Sequence, residues 1–420
     1  MLDIRLFRDK PDAIKTSQKK RGKSVELVDD VIKLDNEWRS ILKKVEDLKH
    51  KRNIISEQIN TAKKEGKQAT AEIKKVKAIA DEITQLEMQS AKAMLERDRV
   101  RYKVGNILQE DVPLGTTVQV IRNWGEQKTF NFTPKGHADL IEELGVADVN
   151  KAAEISGARF YYLKHELVKL NLALISFAFD NLIEKGYTPM WTPYMLRYDA
   201  IAAAAELEDF EKQLYKIEGE ELFLIATAEQ TLAAFHLNEV LDENKLPIKY
   251  VGFSTNFRKE AGSHGRDTKG IFRVHQFDKV EQFIFCKPED SNKIHEDMVK
   301  ITEDLFQKLK LPYRVISIPA QDLNDNATKK YDIEVWFPAQ KLYRELISVS
   351  NCTDYQARKL NVKFGQDRYT AHTLNGTAIA TERAICAILE NFQQKDGSVK
   401  IPEALHKYTG FTEIKSHKNK

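Results

Sequence analysis

The chain has 420 residues, enough for two or three domains and a large core. It carries 66 Lys and Arg against 63 Asp and Glu, a formal net charge of +3, so contact with nucleic acid has to come from local patches and not from a global field. Cys286, Cys352 and Cys386 are widely spaced with no CxxC pair, which argues against a disulfide framework or a cysteine-rich zinc site and points to a reducing compartment. No apolar run is long enough to span a membrane, and the opening MLDIRLFRDKPDAIK lacks the apolar centre of a secretory leader. A cytoplasmic location is expected.

In chain order, a short helix is expected from Lys10 or Pro11, then a basic turn at residues 19–23. Val31, Leu34, Trp38, Ile41, Val45, Leu48, Arg52, Ile55 and Ile59 then recur at threes and fours, an a/d seam. Residues 63–67 interrupt it, and a second seam follows through Val76, Ile79, Ile83, Leu86, Ala93 and Val100. Two such helices joined by a short break fold back as an antiparallel hairpin, each roughly 50 Å long at about 1.5 Å per residue. Lys63, Lys64, Lys67, Lys74, Lys75 and Lys77 crowd the turn against Glu65 and Glu72, whereas residues 26–103 hold 18 basic and 15 acidic side chains. The shaft is mixed and the tip is basic. A dimerisation coiled coil and an arm that grips a phosphate backbone both fit this pattern. The domain boundary is placed near Gly105, dividing residues 1–104 from residues 105–420.

Beyond it, short strands are expected at 118–120 and 129–132, a helix at 138–144 and a strand at 157–162. An apolar helix over 164–185 stops at Gly186. The next apolar stretch contains Pro189 and Pro193, which excludes a regular central strand and suits an edge. Residues 199–213 read as helix and loop and 222–225 as a strand. Thr227-Ala228-Glu229 opens a helix, where Thr227 suits an N-cap and Glu229 the first turn. An amphipathic helix is expected at 291–310, strands at 313–318, 331–336 and 344–356, and an apolar helix at 384–392. The tail from Phe411 is polar and is expected to fray.

The most informative stretch is 253–285, read as strand, glycine-rich charged loop and strand. Phe257-Arg258-Lys259-Glu260 ends the first half, and Gly262, Gly265, Arg266, Asp267 and Gly270 punctuate the loop. The return half, from Ile271 through Val274, Phe277, Val280, Phe283 and Phe285, is read as a half-buried strand. Arg258, Arg273, Glu260 and Glu281 make a plausible floor for a polyphosphate beside a small cationic group. No P-loop, GxGxxG or Ser-His-Asp pattern is present, so a nucleotide has to be held another way.

The pattern Phe-Arg-x-Glu, loop, Arg-x-x-x-Phe-x-x-x-Glu resembles motif 2 of the class II aminoacyl-tRNA synthetases. The wording from Glu260 through Thr268 resembles the seryl-tRNA synthetases in particular. The helix and strand at about 170–195 resemble motif 1, and residues 373–392 resemble motif 3. The run Glu345-Leu346-Ile347-Ser348-Val349-Ser350-Asn351-Cys352-Thr353-Asp354-Tyr355-Gln356 is similar to another signature of that family. The wording Thr377-Ala378-Ile379-Ala380-Thr381 is closest to archaeal and eukaryotic members.

The resemblance implies an α+β fold, a class II antiparallel sheet flanked by helices, preceded by a helical hairpin arm that lies against the variable arm of serine tRNA. It implies an ATP-dependent ligase that activates L-serine and charges tRNA(Ser), with tRNA(Sec) open as a second substrate, working as a homodimer built through motif 1. Arg258 and Arg383 would be catalytic. Serine would contact Thr227, Ala228, Glu229, Arg258, Glu281 and Thr377, with Glu281 reading the hydroxyl. ATP would contact Arg258, Lys259, Glu260, Arg273, Val274, Phe277, Glu345, Leu346, Ile347, Ser348 and Arg383, with adenine between Phe277 and Arg383. Mg²⁺ would sit on Glu345 and Ser348, and no zinc is expected. Three positions depart from the commonest wording. Ile347 replaces a frequent serine; Glu382 puts a charge beside Arg383, either weakening phosphate binding or facing solvent; His264 lies in the motif 2 loop, toward the tRNA end or toward water. A catalytically inert relative retained as a binding module is the alternative.

Overall fold

The computed structural model describes residues 1–204, 213–260 and 269–418. Its contacts divide into two units, Met1–Ile107 and Leu108–Lys420. The first contains α1 (Ile4–Asp9), α2 (Pro11–Lys20), α3 (Glu26–Lys64) and α4 (Thr70–Arg101). Helix α1, only six residues long, is too short for periodicity to mark; Leu2 and Phe7 are buried, and Asp3 caps the helix by accepting from the Arg5 backbone N–H. Pro11 opens α2 at the position where its missing N–H costs nothing.

Helices α3 and α4 pack along their length with Val31, Val45, Ile59 and Ile83 buried in the seam. Asp35 meets Arg97 and Lys49 meets Glu87, the register of an antiparallel pair. Asp35 also accepts both forks of Arg8, at 2.7 and 2.8 Å, and the Arg97 guanidinium lies 4.5 Å from the Trp38 ring centroid. This buried cluster ties α1 to the hairpin. At the other end Lys63, Lys64, Lys67, Lys74, Lys75 and Lys77 are all exposed.

Among the described residues the second unit is organised on an eight-stranded sheet. Its strands are β1 (Gln119–Trp124), β2 (Thr188–Trp191), β3 (Ile248–Phe257), β4 (Gln276–Cys286), β5 (Tyr313–Ser317), β6 (Lys329–Phe337), β7 (Leu342–Thr353) and β8 (His372–Ala380). The spatial order is β1-β5-β6-β7-β8-β4-β3-β2. Every pairing is antiparallel except β2 with β3, so the proline-bearing strand does lie at an edge. The flanking helices are α5 (His137–Leu144), α6 (Val149–Ser156), α7 (Glu166–Ile183), α8 (Tyr198–Ala204), α9 (Ala228–Ala234), α10 (Ser291–Lys308), α11 (Tyr355–Leu360) and α12 (Thr381–Phe392).

Several expectations are corrected. Residues 129–132 and 157–161 form no strand, and α6 is a helix beyond those expected from the sequence. The return strand of the 253–285 hairpin begins at Gln276, not Ile271, and from Lys279 to Cys286 it is buried on both faces. The described part of the tail is tied down: Glu413–Ile414 pairs with Val399–Lys400, and Ile414 is fully buried. The loop residues Gly262, His264, Gly265, Arg266 and Asp267 lie outside the described residues.

Strand β4 shows where a cleft must open. Its even residues Val280, Ile284 and Cys286 join a large core with Leu174 of α7, Val299 of α10 and Ile385 of α12. Its odd residues face the other way. There Phe283 and Phe285 are covered by Ala228 and Leu232 of α9 and by Ala357 and Leu360 of α11. Gly252 permits that close approach, since a Cβ on it would stand 2.9 Å from Leu232 Cδ1. The same face continues through Glu281, Lys279 and Phe277, which line a cleft.

Candidate active site

The cleft has a volume of about 450 Å³. Two β-bulges set its floor. Ile333 pairs with Ile347 but Glu334 pairs with Glu345, so Leu346 is the extra residue and Glu345 and Ser348 face the same side despite their three-residue spacing. Thr377 pairs with Glu281 and Ile379 with Val280, so Ala378 is extra and Thr377 and Ala380 both reach the cleft. Thr227 caps α9, its Oγ1 accepting from the Glu229 N–H at 3.1 Å; capping and lining the cleft are therefore compatible roles.

Arg258 follows β3 directly. Its backbone N–H donates to His275 O at 2.9 Å, and His275 Nδ1–H donates back to Arg258 O at 2.7 Å, fixing the imidazole tautomer. The side chain donates from Nε to Ala226 O at 3.1 Å and lies 5.1 Å from the Phe277 ring centroid. Arg383, in the first turn of α12, donates to Glu345 O at 3.0 Å and lies 5.2 Å from the Phe272 centroid. Arg273 pairs with Glu260 at 2.5 Å, and Lys279 pairs with Glu281 at 2.5 Å. Thr377 Oγ1 donates to Glu281 Oε2 at 3.2 Å.

Burial and neighbouring charge divide the carboxyls. Desolvation pushes Glu382 up to about 7, against the pull of Arg383. It is 4% exposed, so the solvent-facing alternative for this residue is excluded. Asp332, across from Ser348, is likewise pushed up to about 7 by burial. Against the desolvation imposed around it, Arg383, Lys330 and Arg258 hold Glu345 below the usual carboxylate range. Ser348 Oγ lies 3.4 Å from Glu345 Oε1, a pair of hard oxygens suited to a magnesium ion that takes its remaining ligands from phosphate and water. Among the described residues no cluster of three or more His, Cys, Asp or Glu is arranged to hold a metal alone.

Of the residues expected to act, Thr227, Glu229, Arg258, Glu260, Arg273, Val274, Phe277, Glu281, Glu345, Leu346, Ser348, Thr377 and Arg383 line this one cleft. Ala228, Lys259 and Ile347 do not. Ala228 is packed against the apolar cluster under α9, Lys259 lies 5.6 Å from the Tyr215 ring on an exposed turn, and Ile347 points into the opposite core. Lys279, Lys330, Phe272 and Asn375 line the cleft and were missed. Period-two spacing from Glu281 and Thr377 could have found Lys279 and Asn375; Lys330 carries no comparable signal.

Residues 1–108 match the model of the seryl-tRNA synthetase N-terminal domain, and residues 211–392 match that of the tRNA synthetase class II core domain (G, H, P, S and T). The chain is 51% identical over 415 residues to the serine--tRNA ligase of Methanosphaera stadtmanae, covering 97% of this chain and 98% of that protein. The chain belongs to the seryl-tRNA synthetase family. The ATP-complexed seryl-tRNA synthetase of Pyrococcus horikoshii superposes with a TM-score of 0.94 at 46% identity, over 99% of this chain and 100% of that one. The AMP-complexed cytoplasmic enzyme of Naegleria fowleri gives 0.90 at 40% identity, over 99% of each chain. The sheet and its flanking helices are thus the class II synthetase fold, and the family's chemistry is ATP-dependent aminoacyl-tRNA ligation.

Proposed function

We propose that the chain is a serine--tRNA ligase, and that the cleft both activates serine and transfers it to tRNA(Ser). The convergence of Arg258 and Arg383, from segments far apart in sequence, on one cleft with Glu281 and Thr377 carries this reading. In the first step a serine carboxylate oxygen bonds to the α-phosphorus of ATP, the bond to the β-phosphate oxygen breaks, and pyrophosphate leaves with the electron pair. In the second, a hydroxyl at the 3′ end of the tRNA attacks the seryl carbonyl carbon and AMP departs. The nucleophiles belong to the substrates, so the protein has to orient them and offset spreading negative charge.

Arg258 is assigned to the α-phosphate and Arg383 to the outer phosphates and one face of adenine. Phe277 takes the other face, which requires the Arg258 guanidinium to shift off the ring it now covers. Arg273, Glu260, Val274 and Leu346 complete the nucleotide contacts, Leu346 and its neighbour Ile347 through backbone beside Glu345. Magnesium, held by Glu345 and Ser348, would supply charge screening for the phosphates. Thr227 and Glu229, which line the cleft on either side of the buried Ala228, are assigned to the serine ammonium. Glu281, held by Lys279, and Thr377 are assigned to its hydroxyl; groups built to bond a hydroxyl reject alanine because they would stay unpaired.

Residues 1–104 are the arm in this reading, and its exposed lysine tip meets the phosphate backbone of the variable arm by charge and shape. Val168, Leu172 and Ile183 of α7 and Trp191 of β2 are exposed apolar side chains, which supports pairing of two copies through motif 1. The location assigned is the cytoplasm; among the described residues no helix is long and apolar enough to cross a membrane. An inert binding module is not favoured, given the identity to ligases over nearly the full length. Serine-dependent exchange of pyrophosphate into ATP tests the assignment: exchange is expected with serine, and its absence would return the chain to the inert class.

A further inference from the structure

The signature ending in Gln356 contains a side chain that the proposed chemistry leaves unused. Gln356 is 1% exposed and does not line the cleft. Its Nε2 donates to Glu229 Oε1 at 2.7 Å and to Ala204 O at 3.3 Å, and its Oε1 accepts from Thr373 Oγ1 at 2.8 Å. Two acceptors on one side and a hydroxyl on the other fix the amide orientation. Asn375 Nδ2 donates to the same Glu229 Oε1 at 3.0 Å. Two N–H donors converging on one oxygen hold the carboxylate in one rotamer.

The chemistry of those partners matters. Amides orient a carboxylate without cancelling its charge, whereas a lysine, as at Glu281, offsets it. Gln356 also joins the end of α8, the start of α9, the first turn of α11 and strand β8 through one buried group.

Resting on the assignment of Glu229 to the serine ammonium, we infer that Gln356 is a positioning residue for the amino group: it acts through Glu229 to preset the ammonium site and makes no contact with substrate. Thr373 and Asn375 complete the frame.

The test is steady-state exchange on the full-length enzyme with Gln356→Met, close in shape but without the donor, and Gln356→Glu, which turns an acceptor toward Glu229. The serine KM is expected to rise about fivefold in Gln356→Met and tenfold or more in Gln356→Glu, with the ATP KM within about twofold of wild type. In a Glu229→Gln background, Gln356→Met should add less than about twofold. Serine and ATP KM rising together, an unchanged serine KM, the full effect persisting in the Glu229→Gln background, or failure of Gln356→Met to fold would each make Gln356 merely structural and overturn the inference. Wild-type enzyme without serine-dependent exchange would instead sink the ligase reading itself.

Discussion

The base of the arm and the floor of the cleft both bury charge, but they handle it in opposite ways. At the arm base Asp35 is answered by two arginines, and Arg97 is further covered by Trp38. That cluster holds helices together. In the cleft, Arg258, Arg273, Lys279, Lys330 and Arg383 stand among Glu229, Glu260, Glu281, Glu345 and Glu382. Such a floor is pre-arranged for a ligand that brings charges of both signs. Closure of a charge network marks a structural joint; a network that opens onto a cleft marks a place where substrate completes it.

The largest expected effect is in the cleft. Arg383→Ala or Arg258→Ala should lower kcat/KM for exchange by about 10²–10³-fold or more, as expected when a group serving the transition state is removed, while the thermal midpoint stays close to wild type. Asp35→Asn should show the reverse: about 3 kcal/mol of lost stability by urea unfolding, because it leaves the buried Arg97 poorly answered, with exchange by the folded fraction unchanged. Converting Lys63, Lys64 and Lys67 to alanine should weaken tRNA(Ser) binding and flatten its dependence on salt by up to about three units of slope, leaving exchange intact. A variant tRNA without its long variable arm should show no such difference.

The smallest effect is a pH dependence. Glu382 is raised to about 7 from an ordinary value of 4.5, so between those values the folded protein binds the extra proton. Its contribution to stability is complete below about 4.5, falls as pH rises toward 7, and stays at its minimum above that. Glu382→Gln should remove this residue's share of the slope, on the order of 1–3 kcal/mol between pH 5 and 8 in chemical denaturation, and leave the share of Asp332, which is raised in the same range. An identical slope in the variant would show that Glu382 does not titrate as described.

The two regions also differ in how far the sequence announces them. The hairpin follows from a seven-residue repeat and local contacts, so Val31 through Ile59 and Val76 through Val100 mark its helices directly. The cleft depends on pairing between strands far apart in the chain. Thr377 and Glu281 become neighbours only through a register that a bulge alters, and β4, buried on both faces, lacks the alternation that would mark which side opens to the cleft. Family wording located Arg258, Glu281, Glu345 and Arg383 but carried no side-chain direction, so Ile347 was grouped with residues that face the other way. The expected strand at 129–132 failed because β1 already ends the sheet there; Phe130 and Phe132 instead pack against each other as tilted rings 5.0 Å apart. Ile414 was missed because it is a lone apolar residue in a charged tail.

The central claim is that one cleft selects and activates serine. Pyrophosphate exchange into ATP measured side by side with serine, alanine and threonine addresses it most directly. The account predicts exchange with serine and at least about 10²-fold lower kcat/KM for the other two. Equal exchange with alanine, or none with serine, would contradict it.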